Sequence, residues 1–261
     1  KLFPYEGDQM NQGYENEVRF GYLAHPSVIT FYRVQNRQKS EVKGKSFFSS
    51  YIVMEYCPYG DFSGLLGPLT IFRDEKLVRT YFHQLIEGLE YLHSNGVSHL
   101  DIKPDNLMLS EDFHLKIIDF DKAYKKGDPH ILSRGTRNYR APELRAERCR
   151  DTEAADIYAA GVTLFVMLAG YFPYLEDTLL EGHDTYGYQK REDPAFWEFH
   201  KKYSHFQPNQ DFKDLYLSMV KLDVVERATI DDIKQSKWYN GPVYEEREVR
   251  EIVSEAISKK K

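Results

Sequence analysis

Hydrophobic positions along the chain change period near residue 60. Phe47 to Tyr56 (FFSSYIVMEY) is a run of aromatic and β-branched residues, the composition of a strand. Cys57-Pro-Tyr-Gly60 ends it as a turn. From Asp74 onward the pattern is helical, with Leu77, Tyr81, Leu85, Leu89 and Leu92 at spacings of three and four on one face. Asn95-Gly96 closes that helix with a left-handed cap. Two short apolar segments follow, Asn106–Leu109 and His114–Ile118, joined by the polar Ser110-Glu111-Asp112 turn, and they predict a β-hairpin. Residues 121–140 are polar and irregular, and the remainder reads as mostly helical. Ile157 to Leu175 carries no charge over 19 residues, close to the length that crosses a bilayer. It contains Gly161, Gly170, Pro173 and three tyrosines and lacks flanking Lys or Arg, so it is read as the buried helix of a large domain.

Composition narrows the class. The chain has 261 residues, 41% hydrophobic and 15% aromatic, enough for a sizeable core in one large domain or two lobes. A net charge of −6 removes the positive field a nucleic-acid binder needs. Two cysteines, Cys57 and Cys149, are too few for a disulfide framework and imply reduced thiols in a cytoplasmic protein. The chain starts at Lys1 with no Met and no apolar leader, which is expected of a fragment of a longer protein. A β-rich part up to the turn at 57–60 and a larger helical part beyond it predict a functional cleft between them.

The chemistry concentrates in His99-Leu-Asp-Ile-Lys-Pro-Asp-Asn106. Asp101 offers a carboxylate, Lys103 an ammonium and Asn106 an amide within six residues, just after the long helix and just before the hairpin. Phosphoryl transfer asks for these groups: an orienting carboxylate for a hydroxyl, positive charge for the moving phosphoryl, and oxygen ligands for Mg²⁺. Asp119-Phe120-Asp121, at the far end of the hairpin, returns a second hard-oxygen ligand to the same place.

HLDIKPDN followed by DFD, then Gly-Thr-Arg-Asn-Tyr-Arg-Ala-Pro-Glu at 135–143 and Asp156-Ile-Tyr-Ala-Ala-Gly161, resembles the eukaryotic protein kinases over about residues 1–240. Lys103 with Gly135-Thr136 resembles the Ser/Thr-specific branch. Ala169-Gly-Tyr-Phe-Pro-Tyr174 and Ser236-Lys-Trp238 look most like the calcium/calmodulin-dependent kinase group. The resemblance implies an α+β, two-lobed fold: a truncated antiparallel β N-lobe at 1–56 without its glycine-rich loop, a hinge at 57–61, a mainly helical C-lobe at 62–240 and a tail helix at 241–261. It implies ATP and Mg²⁺ as cofactors and protein Ser/Thr hydroxyls as acceptors. Asp101 would orient the acceptor hydroxyl, Lys103 would neutralise the phosphoryl, and Asn106 and Asp119 would hold the metal. Met54 matches the residue at the back of the adenine pocket, backbone groups of Glu55 and Cys57 the adenine edge, Asp61 a ribose or basic-substrate contact, and Met108 the pocket floor. Glu143 and Arg227 match a structural ion pair, Asp156 a brace for the catalytic loop, and Phe20, His99 and Phe120 an apolar stack between the lobes.

Four departures from the family pattern stand out. No glycine-rich loop precedes Lys1, which is placed as the lysine that meets the α- and β-phosphates; a chain without that loop is expected to bind ATP poorly. Glu17 is placed as the helix partner of Lys1, with Glu15 and Asn16 as alternatives. Leu100 replaces the arginine that binds an activation-loop phosphate, so activity is expected not to require phosphorylation at positions such as Ser133. Asp121 replaces a glycine, and Asp suits a left-handed conformation there. Asp61 and Asp105 suggest basic residues upstream of the phosphoacceptor. Lys125-Lys126 reads as a solvated pair. On the tail, Val249, Ile252, Val253, Ala256 and Ile257 share a helical face, and the acidic opposite face does not suit calmodulin. The reading is a monomeric, cytoplasmic Ser/Thr kinase acting on proteins, without nucleic-acid or membrane partners, and its alternative is a pseudokinase serving as a scaffold.

Overall fold

A computed structural model describes residues 1–4, 11–42, 44–66, 73–131, 135–145, 149–173, 194–204 and 206–259. Ser133, Tyr174 and Leu175 lie outside the described residues. The first lobe is a three-stranded antiparallel sheet, β1 (Leu2–Pro4), β2 (Phe31–Val42) and β3 (Lys45–Met54), in the order β1-β3-β2. Helix α1 (Gln12–Val18) packs beside it, with the Asn11 side chain accepting from the Tyr14 N–H as N-cap. Phe3, Tyr14 and Ile52 form a small apolar core between sheet and helix. β3 begins two residues before the predicted run and ends at Met54.

The second lobe is mainly helical: α2 (Phe62–Leu66), α3 (Glu75–Ser94), α4 (Pro142–Arg145), α5 (Thr152–Ala169), α6 (Pro194–Ser204), α7 (Gln210–Met219), α8 (Ile230–Gln235) and α9 (Glu246–Ser258). Asp74 caps the start of α3 through the Lys76 N–H, and the left-handed Gly96 follows its end. Leu77, Tyr81, Leu85, Leu89 and Leu92 are all fully buried, as their spacing predicts. Each contributes about 1.5–3 kcal/mol relative to exposure. Gly88 lets α3 lie close to the segment around Ile117: a Cβ there would stand 2.7 Å from Ile117 Cδ1.

Two short strand pairs position the site. β4 (Val97–Ser98) pairs with β7 (Tyr124–Lys125), and β5 (Leu107–Leu109) pairs with β6 (Leu115–Ile117) as the predicted hairpin. A bridge from Val28 to Ile117 ties the first lobe to this hairpin. The charge-free run folds as α5, whose residues from Ala155 to Met167 are all buried inside the lobe. The fold is therefore α+β and two-lobed. Lys125 is not merely solvated: its ammonium donates to Asn95 O at 2.5 Å, where α3 leaves carbonyls unpaired, and to the Tyr22 hydroxyl at 3.1 Å. Tail helix α9 lays Val249 and Val253 against the lobe, and the Tyr244 hydroxyl ahead of it donates to Asp74 at 2.7 Å.

Candidate active site

The catalytic segment is held from below by α5. Asp156, fully buried, accepts the backbone N–H groups of His99 at 2.8 Å and Leu100 at 2.7 Å, and meets His93 Nε2 at 3.0 Å. Leu100 takes a left-handed φ of 61°, and Gly135 approaches so closely that a Cβ would sit 2.1 Å from Leu100 O. Only glycine fits there, which brings the backbone of Thr136 onto Asp101. The Thr136 N–H donates to Asp101 Oδ1 at 2.6 Å. Asp101 Oδ2 receives Asn106 Nδ2 at 3.1 Å and lies 3.3 Å from Lys103 and 3.2 Å from Lys122. Lys103 also donates to Thr136 Oγ1 at 2.7 Å. Burial opposes ionisation of Asp101, but the Thr136 bond and the ammonium groups of Lys103 and Lys122 outweigh it and hold its pKa at about 2.

The first lobe completes the cluster. Lys1 directly precedes β1, and its backbone nitrogen donates to Ile52 O at 2.9 Å. Its ammonium bridges Glu17 Oε2 at 2.6 Å and Asp119 Oδ1 at 2.7 Å. Of the three α1 alternatives, Glu17 faces Lys1, Glu15 is exposed, and Asn16 faces the opposite lobe. Buried Asn16 donates through Nδ2 to Asp121 O at 2.9 Å, Ala123 O at 2.8 Å and Phe120 O at 3.3 Å. It thereby clamps the turn that follows Asp119.

That turn corrects one expectation. The left-handed residue is Asp119, with φ 67°, whereas Asp121 sits inside a 3₁₀ turn over Phe120–Lys122. Asp tolerates that left-handed conformation, so position 121 needs no special residue. Phe120 is buried between Phe20 and His99, at ring distances of 5.8 and 5.1 Å. His99 is fully committed, meeting Ile118 O at 2.8 Å through Nε2 and the Asp101 N–H at 3.2 Å through Nδ1. Burial raises the Glu17 carboxyl to about 6 against the pull of Lys1. Asp119 is also penalised by burial, yet its bond to Lys1 keeps its pKa below the usual carboxylate value. Burial and the neighbouring Asp119 push Asp121 upward.

The hinge lies along the same cleft. Met54 ends β3. The Glu55 N–H donates to Thr30 O at 2.9 Å, and the Glu55 side chain pairs with Lys116 at 2.9 Å. Glu55 O and the Cys57 N–H make no hydrogen bond among the described residues. An acceptor and a donor on one short segment are therefore left for a ligand edge. Asp61 caps α2, its Oδ1 accepting from Ser63 at 2.6 Å and from the Gly64 N–H at 2.8 Å. It also bridges to Met108, which is half-buried below the hinge. Glu143 and Arg227 pair at 2.5 and 3.0 Å.

A family model described as the protein kinase domain matches residues 6–239. The chain belongs to the protein kinase family. Relatives of this kinase domain include CBL-interacting protein kinase 11 of Oryza sativa subsp. japonica, 33% identical over 229 residues. That alignment covers 85% of this chain and 41% of the relative. CBL-interacting serine/threonine-protein kinase 2 of Arabidopsis thaliana is 32% identical over 237 residues, covering 88% of this chain and 47% of the relative. The chain thus spans less than half the length of these curated relatives. The family uses ATP with a divalent metal and acts on protein substrates.

Sequence reasoning missed three contacts of this kinase domain. Lys122 reaches Asp101, Asn16 clamps the turn, and Arg19 grips Asp128 with bonds of 2.7 and 3.0 Å. The only signal for Lys122 was its place three residues after Asp119. The Asn16 and Arg19 contacts had none, because their partners lie more than 100 residues away.

Proposed function

We propose that this chain is the catalytic part of a protein serine/threonine kinase that transfers the ATP γ-phosphoryl group to Ser or Thr hydroxyls of proteins. The observation that carries the reading is the single cluster of Lys1, Glu17 and Asp119 beside Asp101, Lys103 and Asn106. In this scheme Asp101 accepts the hydrogen bond of the substrate hydroxyl. A carboxylate held at about 2 is a weak base, so it orients the oxygen and takes up the proton late. The hydroxyl oxygen bonds to the γ-phosphorus as the bond from phosphorus to the bridging oxygen breaks, releasing ADP. Lys103 faces the charge on the moving group, and Lys1 the α- and β-phosphates. Glu55 O and the Cys57 N–H take the adenine edge, Met54 and Met108 its apolar faces, and Asp61 the ribose side.

Asn106 and Asp119 fit Mg²⁺. Asn106 spends its amide nitrogen on Asp101 and Asp119 one oxygen on Lys1, so each keeps a hard oxygen with no partner among the described residues. A bound Mg²⁺ would neutralise phosphate charge.

Several finer points belong to the same reading. Asp105, exposed near the cluster, and Asp61 favour substrates with basic residues upstream of the acceptor. Two free cysteines support a reducing, cytoplasmic setting. The apolar face of α9 is covered by the lobe, which argues against calmodulin.

The test is γ-phosphate transfer from ATP to Ser/Thr peptides by the full-length protein, with and without Mg²⁺, beside Asp101→Asn. Mg²⁺-dependent transfer lost in the variant establishes the kinase; transfer no faster than the variant would make the chain a pseudokinase. Peptides with neutral upstream residues are expected to react more slowly, and a flat profile removes the basic preference. Calcium-loaded calmodulin is expected to leave the rate unchanged.

Phosphatase treatment is also expected to leave the rate unchanged. Leu100 offers no cation to a phosphate, and Arg19 is already held by the Asp128 carboxylate. A large loss on dephosphorylation would refute this. Transfer should fall as pH drops through about 6, because protonating Glu17 removes the charge that holds Lys1. The stability sign is the reverse. The folded value lies above the ordinary 4.5, so this group favours the fold most at low pH and that contribution fades as pH rises through about 6. A rate profile flat across that window would count against Glu17 as the group.

A further inference from the structure

Lys122 has no part in the transfer scheme, yet its ammonium stands 3.2 Å from Asp101 Oδ2 and 3.5 Å from Asp121 Oδ1. We infer that Lys122 is a positioning residue of the phosphoryl-transfer centre, tying the Asp101 carboxylate to the turn that carries Asp119. The inference rests on the kinase reading of the site.

The donors around Asp101 come from different parts of the chain. Thr136 holds Oδ1 from the segment after Gly135. Asn106 and Lys103 reach Oδ2 from the same loop as Asp101, and Lys103 divides its ammonium with Thr136 Oγ1. Lys122 is the donor that arrives from the Phe120–Lys122 turn. Its base is rigid. Phe120 is locked between Phe20 and His99, and Asn16 holds the carbonyls of Phe120, Asp121 and Ala123. A side chain rooted there and ending on Asp101 fixes the distance between the hydroxyl-orienting carboxylate and the Asp119 turn.

Charge balance supports the arrangement. Asp121 adds a carboxylate beside Asp119, and Lys122 follows it directly in sequence. Lys122 is 29% exposed, and although burial lowers its pKa, Asp101 and Asp121 more than restore it, so the side chain stays charged. Together with Lys1 and Lys103 it makes three cations for the four carboxylates Glu17, Asp101, Asp119 and Asp121, and its own charge is spent on Asp101 and Asp121.

The experiment compares the full-length protein with Lys122→Met and Lys122→Arg. Separate kcat and KM values are measured for ATP and a Ser/Thr peptide, with the thermal midpoint of each protein. Lys122→Met is expected to lower kcat about tenfold to a hundredfold, the range for losing one charged hydrogen bond at the transition state. KM for ATP and the thermal midpoint are expected to stay close to those of the parent, because the side chain is partly exposed and spans no core. Lys122→Arg is expected to recover most of the rate, since a guanidinium reaches the same two carboxylates. Amine labelling of Lys122, followed by mass spectrometry, should accelerate in Asp101→Asn. A Lys122→Met protein with unchanged kcat overturns the inference alone. So does a rate loss that tracks a fall in thermal midpoint and is not recovered by arginine, or labelling unaffected by Asp101→Asn. If the parent protein itself transfers no phosphate, the kinase reading fails and the inference with it.

Discussion

Asp101→Asn is expected to lower the transfer rate by about 10² to 10⁴-fold while leaving ATP binding nearly intact. The substitution keeps the shape of the side chain. Its amide oxygen still accepts the Thr136 N–H, the bond now made to Asp101 Oδ1 at 2.6 Å. The other end changes sign. Where Oδ2 meets Asn106 Nδ2, Lys103 and Lys122, an amide nitrogen would place donors against donors. Two ammonium groups lose their counter-charge, and the substrate hydroxyl loses its acceptor. The hinge and the Lys1–Glu17 pair are untouched, so nucleotide affinity measured by calorimetry should change little. A rate within tenfold of the parent would show that Asp101 is not the orienting group.

Arg227→Met is expected to cost about 3–5 kcal/mol of stability, the usual effect of removing one partner of a buried ion pair. For a chain of this size that lowers the thermal midpoint by about 10 °C or more. The Arg227 side chain is fully buried. It donates to both Glu143 oxygens, at 2.5 and 3.0 Å, to Ala154 O at 2.8 Å and to Lys221 O at 3.0 Å. Its guanidinium also lies 5.2 Å from the centre of the Tyr158 ring. One residue thus ties α4, α5 and the loop beyond α7. Methionine fills much of the volume but leaves the Glu143 carboxylate without its buried counter-charge. Adding Glu143→Met should recover part of the loss, because no uncompensated charge remains. A midpoint within about 3 °C of the parent in thermal unfolding would refute a structural role for the pair.

Much of this was legible in the sequence, for local reasons. The α3 stripe is legible because a 3.6-residue period puts Leu77, Tyr81, Leu85, Leu89 and Leu92 on one face whatever the rest of the fold does. The hairpin is legible because two apolar triplets flank a turn. Asp101, Lys103 and Asn106 lie within six residues, so a loop can gather them without long-range help. The α5 segment shows the limit of composition. Its apolar run fits a bilayer as well as a protein core, and only the surrounding helices decide for the core.

Periodicity and near neighbours are enough for the main elements, the β-rich and helical parts and the local catalytic cluster, while the family and the two-lobed fold follow from the resemblance that the ordered motifs carry. Tertiary structure alone decided which α1 residue meets Lys1, since Glu15, Asn16 and Glu17 differ only in direction around a helix. It decided that Asn16 clamps the Asp119 turn, that Arg19 grips Asp128 and that Lys122 closes on Asp101. The Asn16 and Arg19 contacts cross between the lobes over more than 100 residues of sequence, and Lys122 meets Asp101 across the hairpin, 21 residues away. Their geometry comes from tertiary packing, and no local pattern of hydrophobic and polar residues encodes it.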